Sequence, residues 1–150
     1  MSSNSMWLRV MGDIPSPEEL TRLLDLKPDS YMRRGTAVFK GTWIVPEDVW
    51  TATLIEEWSG EPDEDVSASM QHATAILDRI APTLAALDRT HYQAELYISS
   101  IRYEEDGGVT LPTPLVAAAA AGGLKIGISI ACSIYEDDEA EEDDASADDS

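Results

Sequence analysis

The sequence predicts an α+β fold, with a mainly antiparallel sheet of four to five strands and helices packed on one face. Three observations predict it. Residues 6–35 have the pattern of a strand, a capped turn, a helix and a basic loop. Residues 67–87 carry apolar side chains at helical spacing, and residues 125–135 alternate with a period of two. Two split β-α-β halves in this order indicate ferredoxin-like character.

The opening unit carries the clearest local signals. Residues 7–11 are apolar apart from Arg9, which favours a strand, and a Gly-Asp pair ends it. Ser16 is placed to cap a helix, with Pro17 at the first helical position and Glu19 completing a capping box. The Lys-Pro pair at residues 27–28 is expected to end that helix.

The middle of the chain predicts further strands around the longest helix. Residues 36–45 are rich in β-branched and aromatic side chains and predict the second strand. Residues 49–58 fit an extra strand, with an amphipathic helix as the alternative. Pro82 lies inside the helical pattern of residues 67–87 and is expected to kink or split the helix. Residues 92–103 alternate and predict the third strand.

The last elements are a short helix and a closing strand. Thr113 is placed to cap the helix, Pro114 to occupy its first position, and the glycine pair at residues 122–123 to end it. In residues 125–135, four isoleucines and Cys132 share one face, which we expect to pack on helices. Cys132 is therefore expected to be a buried structural thiol, and as the single cysteine it excludes an internal disulfide.

Composition predicts one domain at residues 6–135, a disordered lead-in at residues 1–5 and a disordered acidic tail at residues 136–150. The start of the chain lacks the charged and apolar regions of a signal peptide. No apolar run approaches the ~20 residues that cross a bilayer. We expect a cytoplasmic protein.

Net charge is −19, and the tail holds ten acidic residues without a basic one. Such a surface repels nucleic acid phosphates and anionic membranes. The expected partner is therefore a cationic protein, with no direct binding to nucleic acid or membranes.

The sequence contains no recognisable catalytic or metal-binding constellation. His72 and His91 belong to no metal-ligand motif, and a single cysteine excludes a thiolate zinc site. The two glycine pairs do not form a phosphate-binding loop. We expect a protein that is not an enzyme and that uses neither a cofactor nor a metal.

The residues expected to contact a partner are basic, aromatic and acidic. The alternative for the arginines is pairing with nearby carboxylates, for the tryptophans burial in the core, and for the tail a purely solubilising role. The candidates are Tyr31, Arg33, Arg34, Trp43, Trp50, Trp58, Glu136, Asp137, Asp138 and Glu139.

The sequence also resembles a known family. A strand ending in Gly-Asp is followed by PEELTRLLDLKP, then by Arg-Arg-Gly and a strand containing tryptophan. This pattern, with the later glycine-rich turn, short helix and isoleucine-rich strand, resembles the domain of unknown function 4279 over about residues 6–135. The resemblance implies a small bacterial α+β domain without known catalytic residues. Some such domains occur near polymorphic toxin systems, which implies an immunity role.

We therefore expect an immunity protein that neutralises a cationic toxin, such as a nuclease encoded nearby, by covering it. Two alternatives stay open. One is an acidic DNA mimic or host-takeover inhibitor of a DNA-binding enzyme. The other is a small regulatory domain that binds a ligand with Arg33 and Arg34. The sequence does not decide between a monomer and a homodimer.

Overall fold

The computed structural model describes residues 2–58, 68–103 and 109–132. Within these described residues, three helices and seven strands follow one another. The helices are α1 (Pro17–Leu24), α2 (Ala68–Ala85) and α3 (Thr113–Ala121). The strands are β1 (Ser2–Gly12), β2 (Ser30–Met32), β3 (Ala37–Val38), β4 (Trp43–Ile44), β5 (Asp48–Trp58), β6 (Tyr92–Arg102) and β7 (Lys125–Cys132).

Five strands form the main sheet in the order β2-β5-β1-β6-β7, and β3 pairs with β4 in a separate small sheet. All pairs in the main sheet are antiparallel except β6 and β7, which are parallel. The connection through α1 places β5 between β1 and β2, and the connection through α2 places β1 between β5 and β6. The α+β class and the mostly antiparallel sheet are confirmed, while ferredoxin-like character stays a prediction.

The core lies between one face of the sheet and the helices. β1 alternates strictly there, because Met6, Leu8 and Val10 are fully buried and the side chains between them are half-buried. From the helices, Leu20, Leu24, Met70, Ala73, Leu77, Ile80, Leu84, Leu115, Ala118 and Ala119 pack onto this face. Within the described residues, no helix is both long and apolar enough to cross a membrane.

The opening unit folds largely as its sequence predicts. The Ser16 hydroxyl accepts a hydrogen bond from Glu19 N at 3.2 Å, so the cap is formed. The helix ends at Leu24, earlier than the Lys-Pro pair, because Asp25 adopts a left-handed conformation with φ of 49°. The lead-in differs from the prediction, since β1 begins at Ser2 and pairs with the end of β6.

The middle of the chain confirms one predicted strand and departs from the prediction elsewhere. Residues 49–58 are a strand, and as β5 they lie inside the sheet between β2 and the central strand β1. The prediction of one strand at residues 36–45 is wrong, because a turn divides it into β3 and β4. Helix α2 continues through Pro82 without splitting. The short edge strand β2 lies in the segment predicted as a basic loop.

The C-terminal elements are present with two differences. Pro112, not Thr113, is the N-cap of α3, and Pro114 is the second helical residue. The isoleucines of β7 and Cys132 are exposed, so the predicted packing of that strand and the predicted burial of the thiol are wrong. Helix α3 has small side chains and packs mainly against α2, so it leaves the isoleucines of β7 in solvent. The predicted turn at residues 104–108 and the acidic tail lie outside the described residues.

Candidate partner-binding arm and end cleft

Residues 33–47 leave the main sheet between β2 and β5 and form a small hairpin, which we call the arm. Its strands β3 and β4 are joined by residues 39–42. Val45 is buried at the base of the arm. Its N–H donates to Thr36 O at 2.9 Å, and Gly35 N donates to Val45 O at 2.8 Å. These bonds close the base of the hairpin, and most of the side chains of the arm lie in solvent.

The tip of the arm has an uncommon backbone conformation. Phe39, Lys40 and Gly41 have φ angles of 54°, 57° and 82°. A left-handed conformation costs an L-residue roughly 1–2 kcal/mol, and glycine much less. Gly41 N donates to Val38 O at 3.1 Å, which closes the turn. Bulky residues in this region of backbone space are outliers that tend to occur at functional sites.

The arm also exposes large apolar side chains. Phe39 is 75% exposed, Ile44 53% and Trp43 45%. The Phe39 and Trp43 ring centroids are 6.4 Å apart, so the two rings form one aromatic surface. Single exposed apolar residues are ordinary, but two exposed aromatic rings next to each other on one hairpin are typical of an interaction site.

The predicted basic spot lies at the base of this arm. Arg33 and Arg34 are exposed, and within the part of the chain that the structure describes neither side chain forms an ion pair. The backbone there is held by Asp48, whose carboxylate accepts from Arg34 N at 2.7 Å and from Ile14 N at 3.0 Å. The alternative of arginines paired with neighbouring carboxylates therefore finds no support among the described residues.

The other predicted contact residues are distributed differently. Tyr31 is half-buried in β2 and packs against the core. Trp50 is fully buried and its indole Nε1 donates to Thr21 Oγ1 at 3.1 Å, and Trp58 is also a core residue. Burial removes these two tryptophans from the surface available to a partner. The tail residues Glu136, Asp137, Asp138 and Glu139 lie outside the described residues.

A polar cleft of about 380 Å³ lies beside the base of the arm, where β1 ends and β5 and β6 begin. We call it the end cleft. It combines acidic and basic side chains, and Arg34 belongs to both the arm and the cleft. Its lining residues are Gly12, Asp13, Arg34, Pro46, Glu47, Asp48, Arg89, Thr90, His91, Tyr92 and Gln93.

Carboxylates surround one wall of the end cleft. His91 Nδ1 lies 3.8 Å from Asp13 and its Nε2 lies 3.9 Å from Asp88. Hydrogen bonds from the Thr90 hydroxyl, at 2.6 Å, and from Thr90 N, at 2.9 Å, lower the pKa of Asp88. Burial, followed by the nearby charges of Glu19, Asp13 and Asp88, raises the pKa of Tyr92.

One cationic side chain of the end cleft, Arg89, already makes hydrogen bonds within the protein. Arg89 Nη2 donates to Leu84 O at 3.0 Å and to Gly122 O at 3.1 Å, which ties the cleft to α2 and α3. Arg34 lines the cleft, whereas Arg33 does not. Among the described residues no group of three histidine, cysteine or acidic side chains could hold a metal ion.

Sequence reasoning did not find the end cleft. Asp13 and His91 are distant in sequence, and each looks unremarkable alone. The available signal was that Asp13 follows the first strand and His91 precedes the third. If those strands pair in antiparallel orientation, their ends meet, as Asp13 N and His91 O do at 2.9 Å.

Among the comparisons with known proteins, only the one with family models found a match. No curated protein matches the chain, and no solved structure matches it. One family matches residues 2–133, which include the arm, the end cleft and every described strand and helix. The chain therefore belongs to the family described as domain of unknown function DUF4279.

Proposed function

We propose that the protein is a non-enzymatic inhibitor that binds a cationic protein, as an immunity protein does when it neutralises a toxin. The observation that carries the proposal is the arm, a strained and anchored hairpin that holds Phe39 and Trp43 in solvent. A projecting element with rigid aromatic side chains suits insertion into a concave site on a partner, where such residues supply most of the binding energy.

The overall charge supports a cationic partner. The chain has 29 acidic and 10 basic residues. A net charge of −19 attracts a basic protein over several ångströms and raises the association rate, while contributing less to final affinity. The resemblance to domains near toxin systems favours a toxin, and among toxins a nuclease is the expected basic class.

The basic residues of the arm have a separate role in this proposal. Arg33, Arg34 and Lys40 lie on the one segment that is expected to enter the partner. The active site of a nuclease often carries carboxylates that hold metal ions, even when its surface is basic. The guanidinium and ammonium groups of the arm would pair with those carboxylates. The negative net charge of the chain then attracts the basic partner at long distance, and the basic arm attracts its acidic active site on contact.

Co-expression tests the proposal. The candidate toxin is any basic protein whose gene adjoins this one, and it is expressed in cells with the wild type, with Phe39→Asn or with Trp43→Ser. Asparagine tolerates the left-handed conformation at the tip, so Phe39→Asn removes the ring without adding backbone strain. We expect the wild type to protect the cells and both variants to protect them poorly.

Leu23→Ser is the matched control, because Leu23 is a 47% exposed apolar residue on α1, outside the arm. It should protect as well as the wild type. Equal protection by the arm variants, or no protection by the wild type, would contradict the proposal.

A second candidate rests on the end cleft. Arg34, Arg89 and His91 line one polar cavity, which suits a small anionic ligand of a regulatory domain. Inorganic phosphate, pyrophosphate and small dicarboxylates are the probes for a thermal-shift measurement. A ligand that binds the folded state must raise the melting temperature. No shift with any probe, or an equal shift in Arg34→Ala, would remove this candidate.

A further inference from the structure

Strand β7 lies at one edge of the main sheet and carries a row of exposed isoleucines. Ile126, Ile128 and Ile130 are 36%, 47% and 61% exposed. We call these three residues the isoleucine stripe. Their partners on β6, namely Leu96, Ile98 and Ser100, are fully buried on the same face. The helices therefore bury this face at β6 but leave the stripe on β7 largely uncovered.

Apart from Lys125 at its first residue, the edge lacks the features that natural proteins use to prevent strands from pairing with other chains. Lys125 is its only charged residue, and it contains no proline. Within the described residues β7 pairs with β6 alone, so its outer edge presents unpaired backbone groups. An exposed, apolar and uncharged edge strand is a template for addition of another strand.

The composition of the segments outside the described residues argues against any of them packing on the isoleucine stripe. Besides Met1, the segments outside the described residues are SGEPDEDVS at 59–67, EEDGG at 104–108 and the C-terminal stretch from residue 133. These sequences are dominated by acidic and small residues and offer few apolar side chains to three isoleucines. Burying their carboxylates against the stripe would be unfavourable.

Charge also argues against a highly charged partner protein at this place. Residues 126–132 carry no charge on a chain of net charge −19, so they offer nothing to a basic surface. Two copies of the chain repel each other over most of their surfaces. The neutral edge is where that repulsion is weakest and where the apolar groups are self-complementary.

We propose that the protein forms a homodimer by antiparallel pairing of β7 with β7 of a second copy. A two-fold axis then joins the two five-stranded sheets into one, and the two isoleucine stripes pack together on the helical side. Gly127, Ser129 and Ala131 on the other face are small and do not obstruct the approach. The arm lies near β2, at the opposite edge, so the dimer leaves it free.

Light scattering coupled to size exclusion tests the proposal on the full chain, with reductant present so that a Cys132 disulfide does not contribute. We expect twice the 16.4 kDa mass of one chain. The double variant Ile128→Lys, Ile130→Lys should have the mass of one chain and unchanged circular dichroism, because both side chains are already exposed. Leu23→Lys is the control and should remain dimeric.

Hydrogen exchange provides a second readout that does not depend on a variant. Amides of residues 126–132 should exchange more slowly as protein concentration rises, while those of the arm should not change. A wild-type mass of one chain at all concentrations would overturn the proposal. A full chain that is monomeric but dimerises after removal of residues 133–150 would also overturn it, and would identify the tail as the cover. Neither outcome bears on binding by the arm.

Discussion

Replacing Lys40 with glycine should stabilise the protein, because Lys40 holds a left-handed conformation at an exposed turn. Its φ is 57°, and no buried contact depends on its side chain. Relief of the left-handed conformation is worth roughly 1–2 kcal/mol. The greater freedom of glycine in the unfolded chain takes back about 0.5–1 kcal/mol. We therefore expect the free energy of unfolding to rise by about 0.5–1 kcal/mol.

Urea denaturation followed by tryptophan fluorescence measures this change. With a denaturant slope of about 1–3 kcal/mol per molar, the midpoint should rise by roughly 0.4 M. Gly41→Ala is the control in the same turn. Its φ is 82° and nothing lies within 4 Å of an added Cβ, so alanine should destabilise through the backbone alone, by about 1 kcal/mol. If Lys40→Gly lowers the midpoint as Gly41→Ala does, the strain assigned to the tip is absent.

Three further predictions concern the frame that positions the arm and the end cleft. Thr21→Val should cost about 1–3 kcal/mol in urea denaturation, because the buried Trp50 indole N–H loses its acceptor; an unchanged midpoint would contradict this. Gly12→Ala should cost at least about 2 kcal/mol, because its φ is 129° and a Cβ would lie 2.2 Å from His91 O; a neutral effect would refute the close approach. The pKa of Tyr92 is raised in the folded protein, so its neutral phenol contributes stability that is fully present below the ordinary tyrosine pKa of about 10. That stability is lost as pH rises through the folded pKa. The wild type should therefore lose stability relative to Tyr92→Phe in alkaline solution. Parallel stability curves would contradict that.

Local signals predicted the parts of the fold whose structure depends on neighbouring residues. The Ser16 cap follows from side-chain chemistry within a single turn, and the structure contains it. Strand β5 was favoured by its alternation. The C-terminal half of β5 departs from a strict period of two, because a bulge there leaves both Leu54 and Ile55 buried.

The errors occurred where tertiary context decides. Residues 36–45 have high strand propensity, yet three consecutive residues with positive φ fold them into a hairpin, and Gly41 was the only local sign of a turn. The isoleucines of β7 alternate as a buried strand does. They are exposed because α3 is short and rich in alanine. The periodicity of a strand shows which side chains share a face, but not whether a helix elsewhere in the chain is large enough to bury that face.

The candidate site was partly predictable for the same reasons. Arg33, Arg34 and Trp43 were chosen from local composition and do lie on or beside the arm. Phe39 was missed, because a single phenylalanine within a strand-like segment gives no sign of exposure. Trp50 was chosen from its nearness in sequence, and the fold turns it inward.

The measurement that tests the central claim most directly is the affinity of the purified protein for the candidate toxin, defined as a basic protein whose gene adjoins its own. Calorimetry would compare the wild type, Phe39→Asn and Leu23→Ser at low and high salt. The account predicts tight binding weakened by salt, an affinity reduced about 30-fold or more by Phe39→Asn, and no effect of Leu23→Ser. Wild-type affinity in Phe39→Asn, or binding that does not depend on salt, would contradict it.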